Sequence, residues 1–458
     1  MLSIFGDLFQ YASFAIFILV VCFALRVVYN IFLHPLAVYP GPRLWSCTGH
    51  LHHDLHQLHQ QYGPVAWSDI YSSPHGKPKL EKNKRWGLGD LYYASIASPI
   101  ESVHRRNRRA LMGAFTERAV QDQTLIAAEY IALMVMKGRD KIAADNGAIV
   151  VDLVDWLNFL YFDISGHLSF GESFHSVANE KAPPWVEISC SFGKGSLAIP
   201  KHIAEKAEFH KELARVRFQQ RLNAMDAGEQ YDYLAYLQKY NEEKGVAIPP
   251  HELQKNMMML IFAGPETTGT AFAAIFSQLV RHPSMLTKLQ EEVRNTFIEE
   301  SALNTAAVRK LKYLTAVIQE GLRLAPPTSI GNPRVIPRGG AMLCGRFVPG
   351  GTFVSMCHYP TYRSPFNFSR SDDFIPERFL KGVEGDDLSA FEPSSTGRHS
   401  CMGKRLAWAE MRLIPARVLF AFDIRPVKGY EYREFGEQKT YMFWDKETLM
   451  IEILRRTT

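Results

Sequence analysis

A cysteine between two glycines is the residue of this chain whose setting best suits chemistry. Cys401 lies in the stretch Pro393 to Glu410, PSSTGRHSCMGKRLAWAE, between Gly397 and Gly403. Glycines adopt positive φ readily and let a backbone fold tightly against a flat cofactor. Good helix formers follow Gly403, so we expect Cys401 at a helix N-terminus, where N–H groups and the helix dipole lower the pKa of a thiol.

Such a cysteine has two interpretations. As a thiolate it can ligate a haem iron, to which it donates electron density that favours O–O cleavage. Alternatively it is buried and inert, since free cysteines are among the most buried residues. The glycines and the helix start favour ligation, but the loop alone does not decide.

A second stretch with reactive side chains lies inside a long predicted helix, residues 249–283. Prolines mark both ends of this helix. Its middle reads AGPETTGT, Ala263 to Thr270. Pro265 removes a backbone N–H, so we expect a kink. Glu266 and Thr267 bring an acid and an alcohol there, which either face solvent at a helix break or relay protons beside a ligand. The apolar flanks MMMLIFA and AFAAIF favour the relay.

A third stretch, KYLTAVIQEGLRL at Lys312 to Leu324, places Glu320 and Arg323 three residues apart on one helical face. Such pairs are usually solvated and contribute little, so this signal is weak alone. Arg378 follows in FIPERFL. Alternating residues between these stretches predict short strands: Ser329 to Ile336, Ala341 to Phe347, and, after a turn at 349–351, Phe353 to Cys357.

The elements that position these stretches are mostly helical. Leu125 to Tyr240 reads as helix, broken at 146–147, Gly171 and 183–184. His104 to Phe115, HRRNRRALMGAF, is a cationic helix whose arginines form a solvated face or neutralise buried anions such as haem propionates. His50 to Tyr62 is a His-rich amphipathic helix, and without a neighbouring thiolate or carboxylate cluster we favour a solvated face over a metal site.

Composition excludes several classes of protein. The 458 residues carry a net charge of +5 without a block of like charge, which argues against nucleic-acid binding. Six cysteines without CxxC spacing argue against a disulfide scaffold and a zinc site, and for a reducing compartment. No G-x-G-x-x-G follows a predicted strand, so no nucleotide-binding domain is expected.

The amino-terminal run Leu8 to Leu25 is uncharged and, at 18 residues, just long enough for a spanning helix. A cleaved signal peptide is the alternative, but no positive charge precedes the run and no small-x-small site follows it. Asp7 precedes the run while Arg26 and Arg43 follow it, which predicts that the rest of the chain is cytosolic.

The chain therefore divides into three predicted parts. Residues 1–28 form a membrane anchor. Residues 29–43 form a proline-rich linker. Residues 44–458 form the catalytic domain.

Together these stretches resemble the cytochrome P450 family. Four motifs stand in the family's order: AGPETT on the long helix, EGLR as the E-x-x-R helix, PERF, and GRHSCMG leading into KRLAWAE. HRRNRRAL, QEGLRLAPP and NPRVIPRGG are similar to fungal microsomal monooxygenases of secondary metabolism, of the trichothecene hydroxylase and pisatin demethylase type. The resemblance implies a mainly α fold with small β-sheets and an amino-terminal transmembrane helix.

The resemblance also implies roles for the matched residues. Cys401 would be the axial thiolate of a haem b iron, and Thr267 and Glu266 the alcohol and acid that deliver protons to oxygen. A buried structural triad is implied at Glu320, Arg323 and Arg378. Haem-propionate contacts are implied at His104, Arg108, Arg334 and His399. Substrate-pocket residues are implied at Ala263, Ser329 and Ile330.

This chain departs from the family pattern at four places. Ser394 stands where Phe is usual, which bears on shielding of the sulfur. His399 replaces the commoner Arg, and His104 a frequent Trp. After YGPV, which ends at Val65, the chain continues directly as AWSDIY, where relatives have extra residues that form two strands of the small sheet. That gap reflects either an error in the gene model or a true deletion, and it bears on stability more than on chemistry.

The implied function is a monooxygenase of natural-product biosynthesis, held by a single span in the endoplasmic reticulum membrane, that inserts one oxygen atom of O2 into an apolar small molecule. Electrons would come from NADPH through a separate NADPH–cytochrome P450 reductase, with cytochrome b5 as a further candidate. Arg398, Lys404 and Arg405 form a candidate docking face or an ordinary solvated one. Two alternatives are a family member of non-oxygenating rearrangement chemistry and an inactive membrane-anchored haem binder.

Overall fold

The described chain is mainly helical with three small sheets. The computed structural model describes residues 63–72, 78–84, 90–183, 201–224, 231–245, 248–440 and 442–456, with eight positions between 14 and 25. The helices are α1 Asp90–Tyr93, α2 Glu101–Leu111, α3 Glu117–Ala144, α4 Leu153–Phe170, α5 Ser176–Asn179, α6 Lys201–Asn223, α7 Tyr233–Lys244, α8 Pro250–Arg281, α9 Pro283–Thr296, α10 Thr305–Val308, α11 Lys312–Leu324, α12 His358–Tyr362, α13 Arg378–Lys381 and α14 Lys404–Ala421.

The strands are short and antiparallel. They are β1 Glu81–Lys82, β2 Ala148–Asp152, β3 Arg334–Val335, β4 Ala341–Leu343, β5 Arg346–Val348, β6 Phe353–Val354, β7 Phe422–Pro426 and β8 Met450–Arg455. The first sheet has the order β1-β3-β6, the second β2-β8-β7, and the third is the β4-β5 hairpin. The predicted fold class, mainly helical with small sheets, is confirmed over these residues.

The long predicted helix is α8, which crosses the core. It runs without a break through Pro265 and packs against α4, α11 and α14. From Thr268 to Val280 every residue is buried. Among the described residues, α8 is the one helix long and apolar enough to span a membrane, but 67% of its apolar window is buried in the protein. Its apolar residues therefore pack in the protein core.

Local signals set the ends of the helices as expected. α4 begins at Asp152, whose side chain accepts a hydrogen bond from Val154 N, a standard N-cap. The same helix ends at Gly171, which has φ +72° and so takes the left-handed C′ position that favours glycine. The expected break at 146–147 separates α3 from β2.

One strand prediction was wrong in detail. The stretch Ala341 to Phe347 was expected as a single strand, but it forms the β4-β5 hairpin. Cys344 and Gly345 have φ values of +49° and +76°, and two adjacent residues with positive φ form a tight turn that reverses the chain. The expected strands Ser329 to Ile336 and Phe353 to Cys357 shorten to the two-residue β3 and β6.

The segment after YGPV is helical. Residues 63–67 form helix and continue into a π-helical turn, Ser68–Ser72. Trp67 donates from Nε1 to Ala390 O at 3.2 Å, and Tyr71 donates from its hydroxyl to Asn332 O at 3.1 Å. Both rings are buried in a second, smaller core with residues of the β4-β5 hairpin. This segment therefore anchors the small-sheet side of the molecule.

The amino-terminal predictions fall mostly outside the described residues. The His-rich stretch His50 to Tyr62 lies outside them, as does the linker 29–43. Within the apolar run, the described positions are helical and exposed, among them Phe14, Phe17 and Leu25.

Candidate haem-binding site

The loop that carries Cys401 is closed by its own backbone. Cys401 N donates to Ser394 O at 2.9 Å, and Ser400 N donates to Gly397 O at 3.1 Å. Gly397 has φ +73°, and a Cβ there would lie 2.1 Å from Tyr71 O. Only glycine fits this position, because any side chain would collide with a backbone carbonyl. Gly403 is the N-cap of α14, so Cys401 lies just before the helix, as expected.

The Cys401 thiol is accessible to solvent although its sulfur lies deep among protein atoms. This burial raises the pKa of the thiol, while the N–H groups of Gly403 and Lys404 and the charge of Arg108 act to lower it. The expected lowering of the pKa at the helix start is therefore outweighed by desolvation. A bound metal ion would itself deprotonate the thiol.

A cluster of basic side chains from distant parts of the chain lies near this loop. His399 and His104 contact each other through Nδ1 and Nε2 at 3.0 Å. Arg108 donates from Nη1 to Ser400 O at 2.8 Å, which ties α2 to the cysteine loop. Arg334 is buried with its guanidinium over the Tyr71 ring. The structure thus brings together all four residues expected at propionates, with Lys82 and Arg398 in addition.

The positive charge of this cluster is poorly compensated. Burial, reinforced by the charges of Lys82, Arg108, Arg398 and Arg334, lowers the pKa of His104 to about 3. Burial and the charge of Arg334 lower the pKa of Lys82 to about 7.

Carboxylate partners are scarce in this cluster. Among its described members, Arg398 forms an ion pair with a carboxylate, that of Glu101, at 3.0 Å. His399 Nε2 is buried without a hydrogen-bond partner. In the described part of the chain, the cluster therefore has fewer paired carboxylates than cations.

Three members of this region could also form a cation site by geometry. The ligand atoms of Glu101, His104 and His399 lie within 4.8 Å of one another. Burial, reinforced by the surrounding lysine and arginine charges, lowers the pKa of both histidines, and these positive charges make the position unfavourable for a metal cation.

The expected triad is fully buried. Glu320, Arg323 and Arg378 each have 0% exposed side chains. Arg323 binds the Glu320 carboxylate at 2.8 and 2.9 Å, and Arg378 Nε donates to it at 3.2 Å. Arg378 Nη1 also binds both oxygens of Asp386, at 2.9 and 2.7 Å, a partner that the sequence did not indicate. The triad therefore joins α11 to the segment that contains α13.

The middle of α8 exposes only part of its polar motif. Ala263 is exposed and Thr267 half-buried, and the Thr267 hydroxyl donates to Ala263 O at 2.6 Å. Glu266 is buried and binds Lys446 Nζ at 2.9 Å. Since successive helical residues point about 100° apart, the acid and the alcohol face different sides of the helix. Lys446 is another partner that the sequence did not indicate.

The predicted pocket residues differ in exposure. Ser329 is buried, with its hydroxyl 2.6 Å from that of Thr440, whereas Ile330 is half-buried. Ser329 thus contacts the carboxy-terminal segment, and Ala263 is the most accessible of the three residues.

Comparison with known proteins decides the family. The profile of the cytochrome P450 family matches residues 196–449, more than half of the chain. The cytochrome P450 monooxygenase astJ of Aspergillus oryzae is 35% identical over 478 residues, which cover 93% of this chain and 94% of that protein. The chain belongs to the cytochrome P450 family.

Other relatives narrow the kind of cytochrome P450. The versicolorin B desaturase stcL of Emericella nidulans is 33% identical over 94% of this chain and 96% of its own. The averantin hydroxylase of Dothistroma septosporum is 32% identical over 94% of this chain and 89% of its own. The protein is a cytochrome P450 monooxygenase of natural-product biosynthesis.

The residues present fit the haem that defines cytochromes P450. The accessible Cys401 thiol offers a ligand, and the basic cluster and the unpartnered His399 Nε2 offer donors for propionates. Lys82, Asp386 and Lys446 were missed by sequence reasoning because each meets its neighbours only through the tertiary fold.

Proposed function

We propose that Cys401 ligates the iron of a haem b and that the protein inserts one oxygen atom of O2 into an apolar small molecule. The observation that carries this proposal is the solvent-exposed Cys401 beside a largely buried basic cluster, among whose described members Arg398 pairs with the Glu101 carboxylate. Two propionates would supply the missing negative charge, because arginine and histidine donors bind carboxylates strongly.

When bound, the haem supplies the binding and reductive activation of O2. Arg108 and Arg334 hold the propionates together with His104 and His399, and Lys82 adds a fifth donor. The N–H groups of Gly403 and Lys404 point at the sulfur and stabilise its negative charge. Ser394, unlike the usual Phe, leaves the sulfur less shielded by side-chain bulk.

In this proposal α8 carries the groups that deliver protons. The Thr267 hydroxyl donates to Ala263 O and can rotate to another partner. Glu266 supplies the acid behind it. Ala263, Ile330 and Ser329 belong to the proposed substrate wall, with Ala263 as its exposed part.

Electrons come from NADPH through a separate reductase, with cytochrome b5 as a further candidate donor. Lys404 and Arg405 are exposed at the start of α14, which supports a basic docking face near Cys401. Arg398 contributes less to that face, because it is paired with Glu101.

The protein is held in the endoplasmic reticulum membrane by residues 1–28 and a linker at 29–43, with residues 44–458 in the cytosol. The helical, exposed apolar positions between 14 and 25 support the anchor. We further infer that the gap after Val65 is either a true deletion or an error in the gene model.

A carbon monoxide difference spectrum of the reduced full chain tests haem ligation. We expect the red-shifted Soret band of a thiolate-ligated haem, and its loss in Cys401→Ala. Cys357→Ser is a matched control, because Cys357 is a second free cysteine outside the loop and should leave the band unchanged. A folded wild-type protein that binds haem without this band would overturn the assignment.

Turnover with the reductase tests the reaction. Averantin and versicolorin B, the compounds in the relatives' names, are the first probes. Mass spectrometry separates addition of one oxygen from loss of two hydrogens. Product formation without NADPH or O2 would instead support rearrangement chemistry, and no product from any apolar probe would favour the inactive haem binder.

A further inference from the structure

The acid of the α8 motif is held by a lysine from the other end of the chain. Lys446 Nζ donates to Glu266 Oε2 at 2.9 Å and to Thr270 Oγ1 at 3.3 Å. The side chain of Lys446 is only 6% exposed, and that of Glu266 only 4%. Thr270 lies one turn beyond Glu266 on the same face of α8, so the ammonium group bridges two successive turns.

The segment that carries Lys446 is fixed on both sides. Trp444 donates from Nε1 to Pro326 O at 2.8 Å, and Asp445 N donates to Lys439 O at 2.8 Å. On the other side, Leu449 N donates to Asp152 Oδ1 at 3.0 Å. Lys446 therefore reaches α8 from a rigid backbone.

A buried ion pair is weak grounds for stability, because desolvation offsets most of its attraction. The position of the Lys446–Glu266 pair on α8 is more informative about function. Glu266 precedes Thr267, whose hydroxyl is half-buried beside the exposed Ala263. The ion pair fixes the carboxylate on the Thr270 side of α8, and Thr267 is the next residue along the helix after Glu266. It thus controls the orientation of this acid.

We propose that Lys446 is a positioning residue for Glu266. It holds the carboxylate in one orientation, so that protons pass in order to the Thr267 side of α8. The inference rests on the proposed function, in which Glu266 supplies protons during reduction of O2. Full reduction of O2 takes four electrons and four protons and gives two waters, whereas incomplete reduction takes two of each and gives hydrogen peroxide.

The test measures NADPH and O2 consumed and peroxide released by the full-chain holoenzyme with its reductase, with O2 as the only probe. We expect Lys446→Met to raise peroxide per NADPH at least threefold, because the acid loses its orientation. Lys446→Arg, which keeps the charge, should retain much of the wild-type ratio. Lys288→Met is the matched control, since Lys288 pairs with Glu377 at 2.7 Å on the surface.

A second variant separates positioning from a general effect of the substitution. In a Glu266→Gln background, Lys446→Met should add nothing to peroxide release, because the group it positions is already altered. Thermal unfolding of the wild type, the two single variants and the double variant measures the coupling of the ion pair without turnover. The double variant should lose less Tm than the sum of the single variants.

The outcomes are distinguishable. If wild-type protein consumes NADPH and O2 while Lys446→Met releases peroxide like wild type, the inference is overturned and the proposed function stands. Additive effects of the two substitutions on peroxide release would also overturn it. If wild-type protein lacks both the thiolate-type band and O2 consumption, the proposed function fails and the inference fails with it.

Discussion

At the scale of single residues, the basic cluster is typical of an anion-binding site, because its cations are buried close to one another. Burial lowers the pKa values of His104 and Lys82, and the neighbouring cations lower them further. In a protein without a ligand such an arrangement is costly, since a buried charge needs a partner. Under the proposed function, the haem propionates would supply the anionic half of this ion-pair network.

Lys82 predicts a pH dependence of haem retention. Burial lowers its pKa to about 7, and a bound propionate would raise it again. A group whose pKa is higher in the haem-bound state contributes fully to haem affinity below its unbound pKa. That contribution is lost as pH rises through the pKa of the bound state. Haem affinity should thus decrease between about pH 7 and pH 9.

Transfer of haem to apomyoglobin measures this effect. We expect wild-type protein to lose haem severalfold faster at about pH 9 than at about pH 6, and Lys82→Met to lose haem faster at the lower pH with a flatter profile. Lys310→Met, which removes an exposed lysine outside the haem site, is the control. Parallel pH profiles for wild type and Lys82→Met would contradict the assignment of Lys82.

At the scale of elements, the cysteine loop depends on its contact with the turn Ser68–Ser72. Gly397→Ala should prevent the loop from closing, because its Cβ would lie 2.1 Å from Tyr71 O at a φ of +73°. We expect loss of most of the thiolate-type carbon monoxide band. Gly429→Ala tests positive φ alone, since Gly429 has φ +80° with open space around it.

The two glycine variants should differ in both ligation and stability. Gly429→Ala should cost only ~1–2 kcal/mol and keep the band. An intact band in Gly397→Ala would mean that the loop tolerates a shift of its neighbour.

The buried triad predicts a large effect on stability. Arg378→Met leaves Asp386 and part of Glu320 without their cation in a region with no exposure. We expect a loss of about 3–5 kcal/mol in the free energy of unfolding, measured with urea on the holoprotein.

Arg370→Met is the matched control for that measurement. Arg370 pairs with Asp373 at 2.7 Å on the surface, and its loss should cost less than about 1 kcal/mol. Equal losses in the two variants would argue that the triad contributes no more than a surface pair.

At the scale of the whole molecule, the described domain has two cores of unequal size. The larger is built around α8, and the smaller joins residues 66–71 to the β4-β5 hairpin. The cysteine loop contacts the turn Ser68–Ser72 of the smaller core, while α14 packs in the larger one. The proposed haem ligand thus stands where the two cores meet.

Removal of residues 1–28 tests the anchor. We expect the full chain to sediment with membranes and the shortened chain to remain in the supernatant with its carbon monoxide band intact, because the haem site lies in later residues. Replacement of Leu8 to Leu25 by an unrelated apolar helix of equal length should restore sedimentation. Unchanged sedimentation after truncation would show that another surface binds the membrane.

The sequence by itself determined the features that depend on local order along the chain. The helix of Glu320 and Arg323, the end of α4 at Gly171 and the position of Cys401 before a helix follow from spacing, turn residues and composition. The β4-β5 hairpin was missed because two positive φ values at Cys344 and Gly345 outweighed strand alternation.

Only the tertiary structure decided which distant residues meet. Lys82 joins the histidines, Asp386 completes the triad and Lys446 reaches Glu266, across separations that no local pattern encodes. It also decided the direction of the Cys401 pKa, because desolvation depends on every atom packed around the sulfur whereas the helix start depends only on neighbouring residues.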